Sequence, residues 1–178
     1  MKTLFVLRHA KASRDAPSGA DFDRPLNKRG RKAAVAVGRE LRARDVAVDA
    51  IVASPAVRVT ETVSGVMEGS GHTLAPVWDR RIYDASPEIL LEVVREAGDK
   101  VERLLIVGHN PGLQHLLLHL AEGDRDGLRD EVAASFPTAA LAELRLSVEH
   151  WREVGPRCGQ IVSFFRPRDL ESTLAGQG

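Results

Sequence analysis

Apolar residues fall along this chain in two rhythms. Thr3-Leu4-Phe5-Val6-Leu7 and Leu104-Leu105-Ile106-Val107 are short unbroken runs that stop at polar residues, as strands buried on both faces do. Ala33, Ala34, Val37 and Leu41 recur at three- and four-residue intervals, which predicts a helix from about Lys28 to Arg44 with Asn27 as its cap. Read in order, strands are expected at 2–7, 49–53, 74–78 and 101–107. Helices are expected at 28–44, at 55–67, from Ser86-Pro87 onward, and from Asn110-Pro111 to about Glu122. Ser54-Pro55 and Ser86-Pro87 both pair a capping side chain with a proline at the first helical position. A charged turn at 123–127, a short helix at 128–135 and a hairpin of 139–148 with 160–165 complete the pattern. Alternating strands and helices predict an α/β fold with a mostly parallel sheet and helices on both faces.

The pattern shows no repeat and no linker, so 1–166 is expected to form one domain and 167–178 a frayed tail. At 178 residues the chain is long enough to bury a core without staples. Lys plus Arg and Asp plus Glu are 25 each, and the net charge is zero. With no global positive field, neither nucleic acid nor an anionic membrane is an expected partner. One cysteine, Cys158, excludes an internal disulfide and suits a reducing compartment. No apolar run reaches the length of a membrane span. A monomeric cytoplasmic protein is the expectation.

Three segments share a further pattern, an apolar strand followed at once by a cationic or titratable side chain. They supply Arg8 and His9, then Arg58, then His109. Ligands of open α/β sheets bind beyond the carboxyl ends of the strands. Two guanidinium forks and two imidazoles gathered there would suit a phosphoryl dianion. Arginines beside an imidazole keep it neutral, and a neutral histidine can act as a nucleophile. His115 and His119, four apart on one helix, have no third ligand with them and read as ordinary helix residues. Lys11 is equally well a substrate contact or a solvated lysine, and Asn110 is a further candidate contact.

Leu7-Arg8-His9-Ala10, Ser54-Pro55-x-x-Arg58-x-x-x-Thr62 and Val107-Gly108-His109-Asn110-Pro111 together resemble the histidine phosphatase superfamily, also called phosphoglycerate-mutase-like. Arg-His-Ala-Lys at 8–11 and Pro25-Leu26-x-x-Arg29-Gly30 resemble its SixA-type phosphohistidine phosphatases. The resemblance runs from Met1 to about Phe165. It implies a three-layer α/β/α sandwich, His9 as the residue that accepts the phosphoryl group, Arg8, Arg58 and His109 around it, and no metal or other cofactor.

Two departures bear on the substrate. Where other branches carry a glutamate general acid, this chain has Asp79-Arg80-Arg81-Ile82-Tyr83-Asp84 and places Arg80 at the matching position. Asp79, Tyr83 and Asp84 are the remaining candidate proton donors. Asp15 stands where mutases have a phosphate-contacting asparagine, so it is expected to point away. An alkoxide leaving group needs protonation, whereas the imidazole of phosphohistidine departs more readily. The expected activity is therefore a phosphatase acting on phosphohistidine in a signalling or phosphotransfer protein. The alternatives are a broad small-molecule phosphomonoesterase and, in another class, a weakly active phosphohistidine-binding module.

Overall fold

Successive residues of a strand point to opposite faces of the sheet, and the first strand, β1 (Lys2–Arg8), divides its side chains accordingly. Leu4 and Val6 enter one apolar core, Phe5 and Leu7 the other. A strand buried on both sides needs a helical layer on each, and that requirement sets the architecture. The computed structural model describes residues 1–123 and 126–169.

Six strands form one sheet in the order β3-β2-β4-β1-β5-β6. The other strands are β2 (Ala50–Ala53), β3 (Val77–Trp78), β4 (Arg103–Gly108), β5 (Leu141–Leu146) and β6 (Gly159–Phe165). The first four run parallel, while β5 lies antiparallel to β1 and β6 antiparallel to β5. Helices α1 (Lys28–Ala43) and α2 (Val57–Ser70) cover the face that holds Phe5, Leu7, Leu105 and Val107. Helices α3 (Pro87–Arg95), α4 (Gly112–Leu120) and α5 (Leu128–Ala134) cover the face of Leu4, Val6, Leu104 and Ile106. The expected three-layer sandwich with a mostly parallel sheet is the fold observed. Among the described residues, no helix is long and apolar enough to cross a membrane.

Side-chain caps mark where α1 and α3 begin. Asn27 accepts from the Gly30 N–H at 2.8 Å, and Ser86 accepts from the Ile89 N–H at 3.3 Å. Both are the expected side-chain caps. Three expectations fail. The third strand is two residues rather than five, because only Val77 and Trp78 pair with β2. The helix after β2 starts at Val57 with Ala56 as its N-cap, so Ser54 is not its cap. Its hydroxyl is engaged elsewhere, as described below. Similarly, α4 starts at Gly112, two residues beyond Asn110.

Residues 170–178 lie outside the described part, and with them most of the expected frayed tail. The stretch just before is tied down. Arg166 pairs with Asp169 and with Glu131 of α5, each at 3.3 Å. The expected turn at 123–127 includes two residues, 124 and 125, that are likewise outside the described part.

Candidate active site

Strand register brings the two histidines together. Leu7 lies opposite Val107 and Arg8 opposite Gly108, so His9 and His109 leave neighbouring parallel strands at the same level. Their ring centroids are 5.4 Å apart. Strand β2, on the far side of β4, leads into α2 and delivers Arg58 to the same end of the sheet. Arg8, His9, Lys11, Ala12, Arg24, Arg58, Asp84, His109, Asn110 and Thr138 line one cavity of about 270 Å³. A larger depression of about 640 Å³ opens between α1 and α2, but its walls of Val35, Arg39, Arg42, Ala43, Glu68 and Gly69 offer no nucleophile.

The imidazole of His9 is only 8% exposed, and its Nδ1 lies 2.8 Å from the Ala10 carbonyl oxygen. A carbonyl can only accept, so Nδ1 carries the proton and Nε2 keeps its lone pair. His109 Nε2 lies 2.8 Å from Ser54 Oγ. The Ser54 hydroxyl also accepts from the Ala56 N–H at 3.3 Å, and its own proton can be donated to His109 Nε2. In that arrangement His109 holds its ring proton on Nδ1, a buried nitrogen with no protein partner. Arg8 Nε and Arg58 Nε are buried and unpartnered in the same way. Three such donors around one cavity are costly to leave unsatisfied, and an oxyanion would satisfy them.

The backbone around the histidines is fixed by side chains that sequence motifs named without explaining. Thr62 Oγ1 donates to the Arg58 carbonyl at 2.6 Å and accepts from the Ala10 N–H at 2.9 Å. It thereby ties α2 to the turn after His9. Gly30 lets α1 approach the same turn: a Cβ there would stand 2.0 Å from the Lys11 carbonyl oxygen. The segment before β5 supplies a carbonyl, Phe136 O, that accepts from Arg8 Nη1 at 3.1 Å and from Asn110 Nδ2 at 2.9 Å.

Two residues that sequence reasoning passed over belong to this constellation. Asp21 accepts from Arg58 through both its carbonyl, at 2.8 Å, and its carboxylate, at 3.1 Å. The same carboxylate accepts from the Tyr83 hydroxyl at 2.6 Å and from Arg24 Nη1 at 3.1 Å. Arg24 lines the cavity itself. The length of the loop from Ala10 to Leu26 was the only hint of either.

Of the candidate proton donors, Tyr83 is already committed. Its hydroxyl is held by Asp21, which is the main cause of its raised pKa, and its ring stands edge-on to His109 at 5.3 Å. Asp79 is paired with Arg81 at 2.7 Å, and hydrogen bonds from Arg81 hold its carboxyl below the ordinary range. Asp84 lines the cavity. Asp15 is exposed and does not line the cavity, as expected. His115 and His119 are exposed on α4.

Burial sets the charge state of both imidazoles. The pKa of His9 is lowered to about 4, chiefly by desolvation, which outweighs the upward effect of the Ala10 hydrogen bond and is reinforced by Arg58, Arg8 and Arg24. That of His109 is lowered to about 3 by desolvation, then by Arg58 and His9. Both rings are therefore neutral at physiological pH. Asp21 is held below the ordinary carboxylate range, first by the Tyr83 hydrogen bond and then by Arg58.

A sequence model of the histidine phosphatase superfamily (branch 1) matches residues 4–84, the stretch that includes Arg8, His9 and Arg58. An uncharacterised protein of Mycobacterium tuberculosis is 37% identical over 91% of this chain and all of its own length. The chain belongs to the histidine phosphatase superfamily. Two solved members extend the likeness through His109 to the second half of the fold. One, from Nakamurella multipartitia, is provisionally named phosphohistidine phosphatase SixA; it is 26% identical with a TM-score of 0.82, covering 93% of this chain and 96% of its own. Another of the same provisional name, from Agrobacterium tumefaciens, is 27% identical with a TM-score of 0.76, covering 93% and 98%. Within the histidine phosphatase superfamily this protein is thus of the SixA type, a phosphatase that hydrolyses phosphorylated substrates.

Proposed function

We propose that this phosphatase removes the phosphoryl group from phosphohistidine on a signalling or phosphotransfer protein, using His9 as the nucleophile and no metal ion. The observation that carries the reading is the 2.8 Å contact between His9 Nδ1 and the Ala10 carbonyl, which leaves Nε2 unprotonated in a ring that is already neutral. Nε2 attacks phosphorus as the bond to the departing nitrogen breaks, and that nitrogen keeps the electron pair. Arg8, Arg58 and the Nδ1–H of His109 take the equatorial oxygens. Such preorganised donors act mainly on the charge that develops in the transition state. Water then attacks the phosphorus of phospho-His9, releasing phosphate and restoring the imidazole.

The N–P substrate is supported by what the proton donors are doing. Tyr83 and Asp79 are engaged with Asp21 and Arg81, so that of the three only Asp84 has its side chain unpaired among the described residues. An alkyl ester would need that proton, worth roughly 10²–10⁴-fold in rate. The single cysteine supports a cytoplasmic setting as part of the proposal.

The test pairs the native protein with His9→Ala on a phosphohistidine peptide and on p-nitrophenyl phosphate, with EDTA present. The native protein should release phosphate from the peptide at a higher kcat/KM than from the ester, and His9→Ala should release none. Equal activity of the two proteins would remove His9 from the reaction. Preference for the ester would make the protein a broad phosphomonoesterase. Binding without turnover would make it a binding module, and loss of turnover in EDTA would end the metal-free reading.

A further inference from the structure

Asp84 is set apart from the other acidic residues around the cavity. It lines the cavity wall, and its backbone adopts φ of 57°, the left-handed region that non-glycine residues enter at a cost and that recurs at functional positions. Its neighbours hold it there. Ile82, before it, is 1% exposed and packs in the core. The Tyr83 N–H donates to the Arg80 carbonyl at 3.1 Å, and the Tyr83 hydroxyl is fixed on Asp21 at 2.6 Å. Just beyond it, Ser86 caps α3. A short, anchored turn thus presents a carboxylate at the mouth of a cavity whose other charged walls, Arg8, Lys11, Arg24 and Arg58, are all cationic.

We infer that Asp84 is the acceptor for the leaving group of an N-phosphorylated imidazole. The inference rests on the phosphohistidine reading above and identifies the residue that makes the site selective for it. In phosphohistidine one ring nitrogen bears phosphorus and the other can bear a proton. If the second nitrogen is bare, breaking the P–N bond expels an imidazolide anion. If it is protonated, the electron pair of the P–N bond returns to the ring and a neutral imidazole departs. No proton then has to reach the departing atom. A carboxylate that accepts a hydrogen bond from the distal N–H favours the protonated ring, and it offsets the four cations that disfavour it. Alkyl and aryl phosphates have no such N–H, so Asp84 gives them nothing. With Asp84 accepting a hydrogen bond rather than donating a proton, the site is fitted for P–N rather than P–O cleavage.

The experiment compares the native protein, Asp84→Asn and Asp84→Gly on a phosphohistidine peptide and on p-nitrophenyl phosphate. Asparagine matches the shape and tolerates the left-handed region, so Asp84→Asn should keep the native melting temperature. Its kcat/KM on the peptide should fall about tenfold or more, while that on the ester stays within twofold. Asp84→Gly relieves the backbone and should melt at or above the native temperature, yet lose the peptide activity to the same extent. A fall of equal size on both substrates, or one confined to the ester, would overturn the inference; the second outcome would make Asp84 a proton donor to oxygen. A native protein that hydrolyses the ester but not the peptide would instead overturn the phosphohistidine reading, and the role of Asp84 with it.

Discussion

The two neutral histidines should make stability fall with acidity above the range where carboxylates titrate. An imidazole in the unfolded chain has a pKa near 6.5, whereas His9 titrates at about 4 and His109 at about 3 in the fold. Between those values the unfolded state binds protons that the folded state refuses, so unfolding becomes easier as pH drops. The stability these groups contribute is intact above pH 6.5 and declines as pH falls towards 4. Each unit of pH below the unfolded value costs up to about 1.4 kcal/mol per imidazole. From pH 6.0 to 5.0 the unfolded rings are mostly but not wholly charged, so each contributes roughly 1.2 kcal/mol and the pair roughly 2.4 kcal/mol. Replacing His9 with alanine removes one of the two. Urea unfolding of both proteins at pH 6.0 and 5.0 measures the difference directly. The native protein should lose roughly 2.4 kcal/mol over that unit and His9→Ala roughly 1.2 kcal/mol. Carboxylates such as Asp21, held below their ordinary range, contribute mainly at lower pH and equally in both proteins. Identical pH dependence in the two proteins would show that His9 is not held neutral by the fold, and the case for it as a ready nucleophile would fail.

Arg58→Ala should lower kcat by about 10² or more, as removal of one preorganised donor does elsewhere, and a change under twofold would take Arg58 out of the site. Arg58→Lys should restore little of it, because one ammonium cannot replace the fork that meets both the carbonyl and the carboxylate of Asp21. Ser54→Ala should move the ring proton of His109 from Nδ1 towards Nε2, visible in the ¹⁵N shifts of the imidazole, and lower kcat about tenfold. Ser54→Thr should retain the native tautomer, and unchanged shifts in Ser54→Ala would remove the serine from that role. Gly30→Ala would drive a methyl group to 2.0 Å from the Lys11 carbonyl, so Tm should fall by about 5 °C or more, for a cost of order 1–3 kcal/mol; a native Tm would mean that α1 can retreat freely.

The order of strands and helices could be read from the chain because most elements carry their own periodicity and two of the helix starts are capped locally. β1 and β4 are unbroken apolar runs because both of their faces are covered, and Asn27 and Ser86 cap α1 and α3. Arg8, His9, Arg58 and His109 stood out because each follows a strand directly. Ser54 misled for a physical reason. Its hydroxyl can cap a helix or meet an imidazole, and only the register of β2 against β4 decides which. Asp21 and Arg24 were hidden because they sit in an irregular loop with no period, and the partners of Asp21, Arg58 and Tyr83, lie 37 and 62 residues away in sequence. The third strand was overread because a run of suitable residues does not supply a neighbour to pair with.

The sheet order has a consequence during synthesis. β1 has no neighbour among the strands made soon after it; its partners are β4, whose Arg103 pairs with Thr3, and β5, whose Leu146 pairs with Lys2. At about 5–20 residues per second, roughly 5–20 s separate the emergence of β1 from that of β4. Through that interval the Leu4–Leu7 run has no partner strand, whereas β2 already has β3 on one side and lacks only β4 on the other. A slowing of translation anywhere between α1 and α3 prolongs the exposure of the strand that ends in Arg8 and His9.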